Sequence, residues 1–242
     1  VEGEQHRDDD ACEPEQEHQG HVLEHRGRPP AGFIAPEPSW TGEEAGQMLP
    51  FGPIEVKAGR AWTSGGGTGF SFSSLRPKGD IVKKTQGVAS GSISFMQLFD
   101  KLTDVVKQGG ARRGANMGVL HYTHPELRAF ITMKAQQQCM ENFNVSVAID
   151  ERFMKAVEAD AEYDLINPRT GSPCGKERAR EIFDLMADNA WRSGDPGFIV
   201  VDRINDSRSN PTPALGAIES TNPCGEQPLL PWEPCNLGSI NL

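Results

Sequence analysis

The chain has 242 residues, with 24 Lys and Arg against 34 Asp and Glu, for a formal net charge of −10. That balance excludes a protein that coats nucleic acid, because a net-acidic surface offers no general way to displace counterions from phosphates. With 36% hydrophobic and 24% charged residues and no apolar run long enough to cross a bilayer, the composition is that of a soluble globular protein.

Residues 1–62 hold four of the six His and seven of the 18 Pro, and no apolar period of 3.6 or 2 residues is sustained there. This composition cannot bury enough apolar surface to order itself, so a disordered N-terminal segment is expected. Two explanations stay open: a flexible extension, or a stretch that is not the native continuation of the domain, as a frame error would produce. The abrupt change at Ser64–Gly65 motivates the second.

The region 63–242 is orderly. Phe95, Leu98, Phe99, Leu102, Val105 and Val106 recur at helical spacing, with Ser94 as a cap and Gly109–Gly110 as the stop. Met117–Tyr122 reads as a short strand. Pro125 suits the first position of a helix whose inner face is Leu127, Phe130 and Ile131. Phe143, Val145, Val147 and Ile149 alternate with Asn142, Asn144, Ser146 and Ala148, which predicts a half-buried strand. Asp150 is placed to cap a helix carrying Phe153, Met154 and Val157. A longer helix is predicted near 175–193, with Ile182, Phe183 and Met186 inward and Gly194 as its end. Phe198–Val201 then reads as a strand buried on both faces. Helices alternating with strands predict an α/β fold, and there is no internal repeat.

The five cysteines, at 12, 139, 174, 224 and 235, form no C-x-x-C pair, so neither a zinc ribbon nor a metal site is expected. An odd, scattered count suits a reducing compartment. The N-terminal VEGEQHRDDD has no apolar core of a signal peptide, so the expected location is cytoplasmic.

Three stretches carry chemistry. The first is Asn222-Pro-Cys-Gly-Glu-Gln-Pro228, followed by Cys235. In an extended loop, Asn222, Cys224 and Glu226 occupy alternate positions and point the same way. Pro223 and Gly225 between them suit a fixed loop tip. An amide, a thiol and a carboxylate are thereby offered to one small substrate, the thiol as nucleophile, metal ligand or radical carrier and the carboxylate as a proton acceptor. On residue types alone a proline-rich surface loop remains an alternative. The second stretch is Ser64-Gly-Gly-Gly-Thr-Gly-Phe-Ser-Phe-Ser73, whose glycines let a ligand approach the backbone. It is neither G-x-G-x-x-G nor a P-loop. The third is Val106-Lys-Gln-Gly-Gly-Ala-Arg-Arg-Gly-Ala-Asn-Met117, where Lys107, Arg112 and Arg113 flank glycines as phosphate-binding loops do, or as solvated charges at a helix end do.

The Asn-Pro-Cys-Gly-Glu-Gln-Pro string resembles the finger loop of class II, adenosylcobalamin-dependent ribonucleotide reductases. Class I enzymes usually have a different residue after the Asn and lack the Gly-Glu-Gln-Pro continuation. The resemblance implies that Cys224 is the radical-bearing cysteine, Glu226 the base at the ribose 3′ hydroxyl, and Asn222 a hydrogen-bonding partner of the ribose. Cys235 would be one of two reducing cysteines; its upstream partner is missing from the family's place. The glycine run is similar to one that lies against substrate, which implies substrate contacts for Gly66 and Gly67, with Pro223 and Gly225 beside them. The third stretch resembles the loop that relays effector identity, and Arg76-Pro-Lys-Gly-Asp80 its companion. Arg76, Lys107, Gln108 and Arg112 are therefore expected at the effector or specificity site.

The resemblance runs from about Ser64 to Leu242. It implies part of a ten-stranded α/β barrel with the finger loop through its centre. It further implies a ribonucleotide substrate, a deoxynucleotide or ATP effector, a thioredoxin-like reductant and a homodimer, with adenosylcobalamin as cofactor. The later strands and the substrate-phosphate loop of that family lie beyond these residues, so this fragment alone is expected to be inactive. Two other readings stay open: a class I large chain, and a truncated nucleotide-binding module without turnover.

Overall fold

Alternating helical and strand periods build a parallel sheet covered on one face by helices. The computed structural model describes residues 67–82, 87–105, 114–135, 140–231, 233–235 and 240–241. The expectation of disorder over 1–62, and those for Gly66, Lys107, Gln108 and Arg112, lie outside these residues. The first elements are β1 (Thr68–Ser71), β2 (Ile81–Val82), β3 (Gly87–Val88), α1 (Ser92–Val105), β4 (Asn116–His121), α2 (Leu127–Thr132) and β5 (Phe143–Ile149). They are followed by α3 (Glu151–Glu158), β6 (Glu162–Ile166), β7 (Pro173–Arg178), α4 (Ala179–Ser193), β8 (Gly197–Val200) and α5 (Val201–Asn205). The short strands β9 (Ser220–Thr221) and β10 (Pro228–Leu229) complete the set.

β1, β4, β5 and β8 pair in parallel in that spatial order. Residues opposite one another in register share a face, so the pairing sorts the strands into two sides. One side carries Phe70, Gly118, Leu120, Phe143, Val145, Val147 and Ile149, and the helices lie on it except α5, whose Val201 and Ile204 pack on the other. Met96 and Phe99 of α1 reach this side: the Phe70 and Phe99 rings are 4.8 Å apart, and Phe72 and Phe143 are 6.2 Å apart. A Cβ on Gly118 would press on Phe143 and overlap the end of Met96, so the glycine sets how closely α1 approaches. The other side carries Gly69 and Ser71 of β1, Met117, Val119 and His121 of β4, Asn144, Ser146 and Ala148 of β5, and Gly197 and Ile199 of β8. Its side chains are mixed: Gly69, Ser71, Asn144, Ser146 and Gly197 are small or polar, while Met117, Val119, Ala148 and Ile199 cluster with Val201 and Ile204.

Several sequence expectations shift for physical reasons. α1 starts at Ser92 rather than after a Ser94 cap, because the distant Glu126 carboxylate accepts the Ser92 N–H at 2.7 Å. Its inner face is Met96, Phe99 and Thr103, whereas Leu98 and Val105 are 49% and 72% exposed. Pro125 lies in the turn before α2 rather than inside it, but Leu127, Phe130 and Ile131 are buried as expected. β5 is buried on both faces rather than half-buried, because the α1 side covers Phe143 and α5 packs against Ala148 on the other. β8, expected to be a fully buried strand, is at the end of the sheet, and Phe198 is 57% exposed. Asp150 does cap α3, accepting the Phe153 N–H at 2.9 Å. The helix predicted near 175–193 begins at Ala179 and ends at Gly194 in the left-handed conformation (φ +84°). Residues 173–178 instead pair with 162–166 as an antiparallel hairpin.

Candidate active site

β9 and β10 are two residues each, and the loop between them is held by one side chain. The Asn222 N–H donates to the Gln227 carbonyl at 3.1 Å, which closes the hairpin. The Gly225 N–H donates to the Asn222 carbonyl at 3.1 Å, making a turn with Pro223 and Cys224 at its centre. Proline there pre-sets the backbone angle such a turn needs. Gly225 follows with φ +88°, a conformation that costs other residues. The buried Asn222 Oδ1 accepts from the Gly225 and Gln227 N–H groups at 3.2 and 3.0 Å, and its Nδ2 donates to Glu226 Oε1 at 2.7 Å. The extended loop expected from the sequence is thus a tight turn. Amide and carboxylate still converge, but across the turn, while Cys224 stands exposed at the tip.

The hairpin sits on the side of the sheet that carries Gly69, Met117 and Asn144. A Cβ on Gly69 would overlap the Thr221 carbonyl, and one on Gly67 would overlap the Pro223 ring. Asn144 Nδ2 donates to the Pro223 carbonyl at 2.8 Å. Gly225 faces Met117.

Further along the same side, at the C-terminal ends of β1 and β4, is a cavity of about 360 Å³ whose lining includes Ser71, Ser73, His121, Asn205, Ile218 and Glu219. Burial holds His121 below the ordinary imidazole pKa, and the same cause acts on the neighbouring His124. His124 Nδ1 accepts the Glu126 N–H at 3.1 Å, so its Nε2–H is the group facing the Leu75 carbonyl at 3.0 Å. That histidine is a structural cross-link between the β1–β2 connection and α2. Among the described residues no group of three or more His, Cys, Asp or Glu is arranged to hold a metal ion, and no helix is long and apolar enough to cross a membrane.

Residues 54–242 match the model of the ribonucleotide reductase barrel domain. The chain belongs to the ribonucleotide reductase barrel-domain family. Over 180 residues it is 58% identical to the vitamin B12-dependent ribonucleoside-diphosphate reductase of Thermoplasma acidophilum, covering 74% of this chain and 23% of that protein. It is 51% identical to the reductase of the same name from Mycobacterium tuberculosis, covering 74% of this chain and 26% of that one. A vitamin B12-dependent ribonucleotide reductase of Streptomyces clavuligerus is 32% identical over 208 residues, covering 76% of this chain and 21% of the relative. The chain therefore spans about a quarter of the length of these relatives.

Within this reductase domain, Gly67, Asn222, Pro223, Cys224, Gly225 and Glu226 come together at one place. Cys235 is half-buried, past β10. Arg76 follows Leu75, whose carbonyl meets His124 beyond the end of β4, so it belongs with the opposite ends of the strands from Gly67. Sequence reasoning missed Asn144 and Gly69 as seats of the loop. Asn144 carried no separate signal in the sequence, because it alternates with Ser146 and Ala148 and so reads as one member of a polar strand face.

Proposed function

We propose that this chain is the finger-loop part of a class II reductase that converts ribonucleoside diphosphates to 2′-deoxyribonucleotides. The observation that carries this reading is the turn that holds an exposed Cys224 beside an Asn222–Glu226 pair, against the glycines at the start of β1. The vitamin B12-dependent names of the relatives support class II over class I.

Adenosylcobalamin, when bound, supplies the one-electron chemistry that turns the Cys224 thiol into a radical. The chain fits such a group to this extent: the Cys224 thiol is exposed at the loop tip and is the residue that would face it. The Cys224 radical takes the hydrogen from C3′, breaking C–H and forming S–H. Glu226 accepts the proton of the 3′ hydroxyl. Asn222 Nδ2 has two hydrogens; Glu226 takes one, and the second serves a ribose hydroxyl. The 2′ hydroxyl leaves as water with a proton from a pair of thiols that includes Cys235. That pair becomes a disulfide, its second hydrogen ends on C2′, Cys224 returns its hydrogen to C3′, and Glu226 returns its proton to the 3′ oxygen. A thioredoxin-like reductant resets the pair. Gly66, Gly67, Pro223 and Gly225 hold the substrate, and Arg76, Lys107, Gln108 and Arg112 read a deoxynucleotide or ATP effector, in a homodimer in the cytoplasm.

Cys224→Ser in the full-length reductase tests the reading. Serine is the right size, but its O–H bond is too strong for radical transfer, so deoxynucleotide formation is expected to vanish while nucleotide binding persists. Measurable deoxynucleotide from that variant would remove Cys224 from its role.

A further inference from the structure

We propose that Asn144 is a positioning residue for Cys224, acting through the Pro223 carbonyl; this rests on the catalytic reading of the finger loop given above. Three observations converge. The Asn144 amide donates at 2.8 Å to the carbonyl that immediately precedes Cys224, so it orients the peptide plane between Pro223 and Cys224. The backbone on either side of Asn144 is itself held: Lys134 Nζ donates to the Phe143 carbonyl, and the Val145 N–H donates to Asp195 Oδ1 at 3.2 Å. Lys134 and Asp195 are joined to each other at 2.6 Å, with side chains only 17% and 15% exposed. The donor therefore stands on a fixed point rather than on a free strand end, as a supporting contact beneath a reactive group requires. The glycines at 67 and 69 allow the loop to come down onto the sheet, and Asn222 shapes it internally. Asn144 fixes its tip laterally. Asparagine is also a poor strand former, and no packing on the helix side of β5 calls for it.

A misplacement on the order of 1 Å can cost about a hundredfold in rate without loss of binding. In the full-length reductase, Asn144→Asp is the decisive variant, because it keeps the shape and replaces the donor by an acceptor facing a carbonyl oxygen. The expected result is a fall in kcat of about tenfold or more, with KM within about twofold and an unchanged unfolding temperature. A kcat close to wild type, or a loss that follows KM or stability instead, would overturn the proposal. The alkylation rate of Cys224 by iodoacetamide, followed by peptide mass spectrometry without nucleotide, gives a readout that does not depend on turnover. It should change severalfold in both Asn144→Asp and Asn144→Ala, and an unchanged rate in both would likewise overturn the proposal. If the wild-type reductase makes no deoxynucleotide, the catalytic reading itself fails, and the alkylation rate alone decides whether Asn144 sets the thiol's position.

Discussion

At the scale of single residues, the site is assembled by what side chains leave out as much as by what they supply. Gly69 has its missing Cβ where the Thr221 carbonyl lies, and backbone on both sides leaves nowhere for an added methyl group to go. Gly69→Ala is therefore expected to lift the β9–β10 hairpin from the sheet. Turnover of the full-length reductase should fall at least as far as for Asn144→Asp, and protease cleavage between 217 and 230 should accelerate; an unchanged digestion pattern would count against this seat. Asn222 does the opposite work with added atoms, satisfying two N–H groups and a carboxylate with one amide. The residue types and their order were legible in the sequence at this scale, and the turn chemistry of Pro223 and Gly225 was too. The direction in which they converge was not, because strand-like alternation and a tight turn both bring Asn222 toward Glu226.

At the scale of elements, the β6–β7 hairpin reaches across to the β1–β2 connection. Arg169, in its loop, donates from Nε and Nη2 to the two Asp80 carboxylate oxygens at 2.9 and 3.1 Å. Chiefly through those bonds, the Asp80 carboxyl is held down at about 2. An unfolded aspartate titrates near about 3.9, so the folded state is favoured above that pH and loses this contribution as pH falls toward 2. The unfolding temperature of Asp80→Asn should sit below that of the wild type at pH 6, and the gap should close between about pH 4 and 2. A gap independent of pH would assign the effect to packing. This hairpin was the main element missed in the sequence. Tyr163 and Leu165 alternate as a strand does, but Pro173-Cys-Gly-Lys-Glu-Arg178 has no β-branched or aromatic residue, and only its pairing with β6 makes it a strand. The start of α1 was missed for a related reason, since its cap comes from Glu126, 34 residues away in sequence.

At the scale of the whole described sheet, β4 and β5 are paired on both sides, while β1 and β8 end the row. Hydrogen exchange should follow that order, with the amides of β4 and β5 exchanging far more slowly than those of β8; equal rates across all four strands would mean a different pairing. The alternation of helix and strand was enough to read the α/β class, but the positions of β5 and β8 in the row were not readable, because a parallel neighbour comes from distant sequence. The two unlike sides of this sheet have a consequence for how the sequence can drift. On β1 and β5, the apolar positions under the helices can exchange one side chain for another of similar volume, at a cost usually below about 1.5 kcal/mol. Positions under the hairpin have no such freedom: Gly69 tolerates no extra atom, and Asn144 no change of hydrogen-bonding sense. Tolerance to substitution should therefore rise and fall with every second residue along β1 and β5, so that the seat of the hairpin is written into these two strands as a stripe of immutability with a period of two.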